Sequence, residues 1–135
     1  HGAAVAARLE HAEWGVREAA VAALGLLPAE ALAAHGAAVV AKLEDANGYV
    51  RAVAVATLGK LPAEALAAHG AAVVAKLEHP DEDVRKAAVA VLGKLPAEAL
   101  AAHGAAVAAR LEHAEWGVRE AAVAALGLLP AEALA

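Results

Sequence analysis

The chain has 135 residues, with 11 Lys and Arg against 16 Asp and Glu and a net charge of −5; this acidity disfavours a nucleic-acid backbone, which is normally met by a basic stripe. Cysteine is absent, which excludes disulfides, thiolate metal sites and thiol nucleophiles. Methionine and phenylalanine are absent too, and the hydrophobic fraction of 61% comes largely from alanine, with no uncharged stretch near the ~20 residues of a membrane-spanning helix.

From the first residue the sequence copies itself. His-Gly opens at His1, His35, His69 and His103, and Leu-Pro-Ala-Glu-Ala-Leu begins at Leu27, Leu61, Leu95 and Leu129, always 34 residues apart. A period of this size marks a stack of small units. One repeat domain is expected over 1–135, with repeats 1–34, 35–68, 69–102 and 103–135. Residues 1–33 and 103–135 are identical.

The third repeat is the clearest to read. His79-Pro80-Asp81-Glu82-Asp83 stops one helix and supplies N-cap and first-turn acids for the next. Val84, Ala88, Val91/Leu92 and Leu95 form its buried stripe, and Gly93 is expected in the left-handed conformation at its end. Pro96 suits the first position of a following helix running to about Glu112, with apolar Leu100, Val107 and Leu111 on one side. Within it lies His103-Gly104, and interior glycine costs ~1 kcal/mol relative to alanine. A break or kink is expected there. Each repeat is thus a helix pair that buries its stripe only against its neighbours.

Asp81-x-Asp83-Val84-Arg85-x-Ala87-Ala88-Val89-x-x-Leu92-Gly93-x-Leu95 resembles the second-helix signature of HEAT-like repeats, a class related to armadillo repeats, and in style is similar to the phycobilisome-lyase group. The match recurs at Val16-Arg17, Val50-Arg51 and Val118-Arg119. The resemblance implies an all-α, right-handed α-solenoid of four helical hairpins whose second helices line a concave surface used for docking proteins or peptides. It also implies that Arg17, Arg51, Arg85 and Arg119 form a structural ladder bracing successive repeats through nearby acids. Lyase activity does not carry over, because no chromophore-handling motif is visible. The 34-residue DNA-reading repeats of plant-pathogen effectors also contain His-Gly, but their Gly-Gly-Lys-Gln-Ala-Leu element and basic character are missing here.

The four copies differ most in the loops His11–Gly15, Asp45–Tyr49, His79–Asp83 and His113–Gly117. They differ again at Glu18/Ala52/Lys86/Glu120, at Ala23/Thr57/Val91/Ala125 and at Leu26/Lys60/Lys94/Leu128. Gly15, Glu18 and Leu26 lie close to helical spacing, so these varying positions are expected to face a partner. Trp14, Glu18, Tyr49, Lys60, Asp83, Lys86, Lys94, Trp116 and Glu120 are the candidate partner-binding residues. Exposed aromatics at a loop rim are frequent interface anchors.

No catalytic, cofactor-binding or metal-binding residues are expected. Equivalent histidines in adjacent repeats should sit ~10 Å apart, too far to converge on one ion at ~2 Å. No Ser-His-Asp set, phosphate loop or carboxylate pair appears. The reading is a non-enzymatic protein-interaction scaffold, with neither nucleic acid nor membrane as partner. The alternative is a self-assembling structural protein. Neither terminal repeat looks like a cap, so Leu9, Val16 and Val21 at one end and Leu111, Val118 and Val123 at the other are expected to lack neighbours. Such ends can stack head to tail into a ring or filament, and one residue after Ala135 would bring a following His1 into phase. Near-identity of the copies fits an idealised or designed array as well as recent duplication. No signal peptide is visible and no methionine opens the chain, so natural ends could be missing. A soluble chain of open localisation is expected.

Overall fold

The computed structural model describes residues 2–129, and the final Leu-Pro-Ala-Glu-Ala-Leu copy beyond Leu129 lies outside them. The described residues are helical, without strands. In chain order the α-helices are α1 (Gly2–Ala6), α2 (Trp14–Leu24), α3 (Ala29–Ala33), α4 (Gly36–Ala41), α5 (Gly48–Leu58), α6 (Ala63–Ala68), α7 (Gly70–Ala75), α8 (Glu82–Leu92), α9 (Ala97–Ala102), α10 (Gly104–Ala109) and α11 (Trp116–Leu126). Single 3₁₀ turns at Ala7–Glu10, Lys42–Glu44, Lys76–Glu78 and Arg110–Glu112 follow α1, α4, α7 and α10.

The expected long helix is broken at His-Gly. His35, His69 and His103 take φ near −100° and ψ near 0°, the bridge region between helix and extended chain. One helix closes on the histidine N–H, as in His103 to Leu100 O, and the next opens from its carbonyl, as in Val107 to His103 O. The glycine has a packing reason as well. A methyl group at Gly70 would overlap the His103 imidazole of the next repeat.

Two details at helix ends differ from expectation. Pro96 has ψ 148° and caps α9 from outside instead of forming its first turn. Gly93 has φ −65° and ψ −15°, and no described residue has positive φ. The chain leaves α8 by tightening, with Lys94 N–H bonded to Val91 O and Leu95 N–H to Leu92 O, so the left-handed exit is not used.

The chain forms two compact units, His1–Leu66 and Ala67–Ala135. In the first, α2 packs along α5 and Val21, Leu24, Val39, Leu43, Val50 and Leu58 are fully buried. In the second, α8 packs along α11 and Val73, Leu77, Val84, Val91, Leu92 and Val107 are fully buried. Both cores are thin layers of Leu, Val and Ala, which explains how the chain dispenses with Phe and Met.

The uncovered end residues are only partly those expected. Val16, Leu111 and Val123 are incompletely covered, whereas Leu9, Val21 and Val118 are buried. Each repeat has a front and a rear. Val16 belongs to the front of the first repeat, whose rear (Leu9, Val21) is closed by the second. In the second unit the fourth repeat has its front (Val118) closed and its rear (Leu111, Val123) open.

Candidate interaction surface

The varying loop is built the same way in every repeat. Its first residue accepts a hydrogen bond from the N–H two positions on: His11 Nδ1 from Glu13 (3.1 Å), Asp45 Oδ1 from Asn47 (2.9 Å), His79 Nδ1 from Asp81 (3.0 Å) and His113 Nδ1 from Glu115 (3.0 Å). His and Asp both supply the acceptor that this turn uses. Asn47 and Asp81 then cap α5 and α8, accepting from Tyr49 and Asp83 N–H at 2.8 Å.

The arginine ladder holds these loops from behind. Arg17 Nη1 donates to the carbonyls of His11 and Ala12, Arg51 to Asp45, Arg85 to His79 and Pro80, and Arg119 to His113 and Ala114, at 2.6–3.0 Å. Each guanidinium therefore fixes the loop of its own repeat. Arg17 also reaches forward, with Nε and Nη2 on the two Asp45 oxygens at 2.8 and 3.1 Å, the two-pronged geometry that lysine cannot provide. Burial pushes the Asp45 carboxyl up, but the Arg17 and Asn47 hydrogen bonds and the Lys42 charge outweigh it and hold the group below the ordinary carboxylate range. The hydrogen bond to Asp45 correspondingly raises Arg17.

In front of this frame stand the aromatics. Trp14 and Tyr49, at the N-terminal ends of α2 and α5, stack with centroids 5.4 Å apart and planes 21° from parallel. They remain 44% and 66% exposed. Trp116 is 64% exposed at the start of α11 and borders a loop groove of about 460 Å³ with His79, Pro80 and Glu115. A second groove, about 310 Å³, runs between α8 and α11, lined by Glu82, Arg85, Lys86, Val89, Glu120 and Ala121 among others. It brings candidates Lys86 and Glu120 together, with Lys86 Nζ 3.9 Å from Glu82. Glu18 is half-buried on α2, while Asp83 and Lys94 are exposed outside both grooves. Lys60 Nζ lies over Gly25 of the preceding repeat.

Not every varying position faces outward. Thr57, Val91 and Ala125 are buried, as are Val40 and Val74, whose counterparts are Ala6 and Ala108, so variation there adjusts core volume. Among the described residues no group of three or more His, Asp and Glu is placed to hold a metal ion. None of their helices is long and apolar enough to cross a membrane.

The model of HEAT repeats matches residues 36–127, about two thirds of the sequence. The chain belongs to the HEAT-repeat family. No curated protein sequence matches it. Among solved structures it is similar to two engineered proteins from the Northeast Structural Genomics Consortium, each with a TM-score of 0.56 and 22% identity over 98% of this chain, covering 65% and 39% of theirs. It is also similar to a designed armadillo repeat protein, with a TM-score of 0.51 and 24% identity over 93% of this chain and 63% of that one. This HEAT chain thus spans less than two thirds of each of those structures. Their likeness establishes the all-α repeat-solenoid fold.

Proposed function

We propose that this HEAT-repeat chain is a non-enzymatic scaffold that binds a protein or peptide along the outward faces of its longer helices and the adjoining loop rim. The observation that carries this reading is the Trp14–Tyr49 stack. Two large aromatic rings stay substantially exposed on neighbouring repeats, where rigid, amphipathic side chains provide contact area at low entropic cost. The loops beneath them are held by arginine–carbonyl and capping hydrogen bonds, so little ordering is left for binding to impose. The α8–α11 groove, apolar at Val89 and Ala121 with Lys86 and Glu120 at its sides, suits a segment carrying an aliphatic residue between opposite charges.

The test is to select a peptide from a displayed random library against the chain and titrate it while following tryptophan fluorescence. Trp14→Ala with Tyr49→Ala should weaken the selected peptide at least about tenfold, a hot-spot loss of ~1.4 kcal/mol or more. Equal affinity for the variant contradicts the reading.

A further inference from the structure

Arg17 and Arg85 hold the same place in the first and third repeats, each beside the following repeat of its own unit, yet they are used differently. Nη1 of both donates to two carbonyls of its own loop, Arg17 to His11 and Ala12, Arg85 to His79 and Pro80. The difference lies in the other edge of the guanidinium, Nε and Nη2. In Arg17 this edge grips the two oxygens of Asp45 at 2.8 and 3.1 Å. In Arg85 it makes no hydrogen bond or ion pair among the described residues.

One letter accounts for this. Asp45 is replaced in the fourth repeat by His113, whose Nδ1 accepts from the Glu115 N–H at 3.0 Å and whose Nε2 lies 3.4 Å from Glu78 Oε1. The imidazole therefore has no acceptor left for Arg85. Glu78 is engaged as well, with Oε2 on Arg110 at 2.8 Å. Gly117 stands where the first unit has Tyr49, and the guanidinium lies against its bare backbone: a Cβ there would sit 2.5 Å from Nη2 and 3.0 Å from Cζ. Arg85 lines both the loop groove and the α8–α11 groove, and neither Nε nor Nη2 is sealed from solvent. Two parallel N–H donors on a half-buried cation are thus presented to these grooves without an acceptor.

We propose that the free edge of Arg85 binds a carboxylate of a partner peptide, an Asp or Glu side chain taking the place that Asp45 fills in the first unit. The adjoining aliphatic residue of the peptide then rests on Val89 and Ala121 in the α8–α11 groove. A guanidinium edge matches the two oxygens of a carboxylate, and Arg17 with Asp45 shows the match within the same chain. The lining favours a single negative charge. Glu82 and Glu120 together offset Lys86 and Arg85, so a doubly charged phosphate would bring a second charge with no cation to meet. The site rests on the scaffold reading for its peptide, but not on the Trp14–Tyr49 stack, which belongs to the other unit.

A displayed library of random peptides, depleted on the His113→Asp variant and then selected on the unaltered chain, tests this. His113→Asp rebuilds the first-unit arrangement, in which Glu10–Lys42 and Arg17–Asp45 pairs occur together. It should raise the thermal midpoint by about 3 °C or more while closing the site. The selected peptides should share an Asp or Glu. The best of them, with acetylated and amidated ends, should bind the His113→Asp variant at least about tenfold more weakly, and should lose as much when its own acid becomes Asn or Gln. His113→Asn keeps an acceptor for the Glu115 N–H without the charge and should bind like the unaltered chain. The proposal is overturned by a selection that enriches nothing, by peptides that need only a free C-terminus or no acid at all, or by a His113→Asp variant that is no more stable. Acid-dependent peptides that ignore Trp14→Ala with Tyr49→Ala would uphold this site and remove the aromatic hot spot; peptides that need the aromatics and tolerate His113→Asp would do the reverse.

Discussion

At the scale of single residues, neighbours decide what a repeated letter does. Asp45 alone among the four loop-opening residues is acidic, and it is the one that Arg17 grips from the preceding repeat. Its folded pKa is depressed, so its stabilisation is present above the unfolded carboxylate value of 3.8 and is lost as pH falls through the folded value. Asp45→Asn should lower stability by about 1 kcal/mol at neutral pH. In urea titrations repeated across pH, the gap from wild type should begin to narrow as pH falls past 3.8 and close only below the depressed folded value; a gap independent of pH would contradict the ion pair. Glycines make the same point. Gly93 has ordinary helical φ, and a methyl group there meets Ala90 O at 3.4 Å and Leu128 at 3.7 Å. Gly93→Ala should therefore raise stability by about 0.4–1 kcal/mol. Gly25→Ala, in the equivalent place, would press on Ala22 O and the Thr57 hydroxyl at 3.2 and 3.3 Å and should give no gain. Paired thermal melts read the difference.

At the scale of elements, most of the helix pair was legible in the sequence. Glycine's helix penalty and its fixed histidine partner announce the break at His103, and the acids at Asp81–Asp83 announce the start of α8. Legibility failed where one residue type has two uses. Gly93 carries the signature of a left-handed exit, yet it ends α8 with right-handed geometry. Thr57 and Val91 vary like surface residues although they are buried, because small changes of core volume are tolerated when neighbours repack. The arginines were legible as a ladder, but their grip on loop carbonyls was not, since carbonyls are invisible in side-chain patterns. The front–rear distinction was also hidden, because a repeat read alone does not say which apolar residue its neighbour covers. Leu43 and Leu111 occupy the same position, the first fully buried and the second half-exposed. Leu43→Ala should cost about 2–5 kcal/mol and Leu111→Ala about 1 kcal/mol, measured by urea unfolding at low protein concentration. Equal losses would contradict an open rear.

At the scale of the whole molecule, repetition separates two kinds of surface. Where one repeat meets the next, its glutamate and helix-end glycine are the same letters in every copy, whereas the residues that meet them, Lys42 or Arg110 and Lys60 or Leu128, change. The aromatic rim is where repeats differ, and Trp14 and Tyr49 show that different loops can combine into one patch. The two tryptophans of the chain give two indole N–H signals that report on this rim. Titrating a selected peptide into ¹⁵N-labelled protein, followed by chemical-shift mapping, tests the binding surface most directly. The account predicts shifts at the indole signals and at the amides of residues 12–18, 46–52 and 114–120. Shifts confined to residues around Arg8, Leu26, Leu111 and Val123, with the indole signals unmoved, would contradict it.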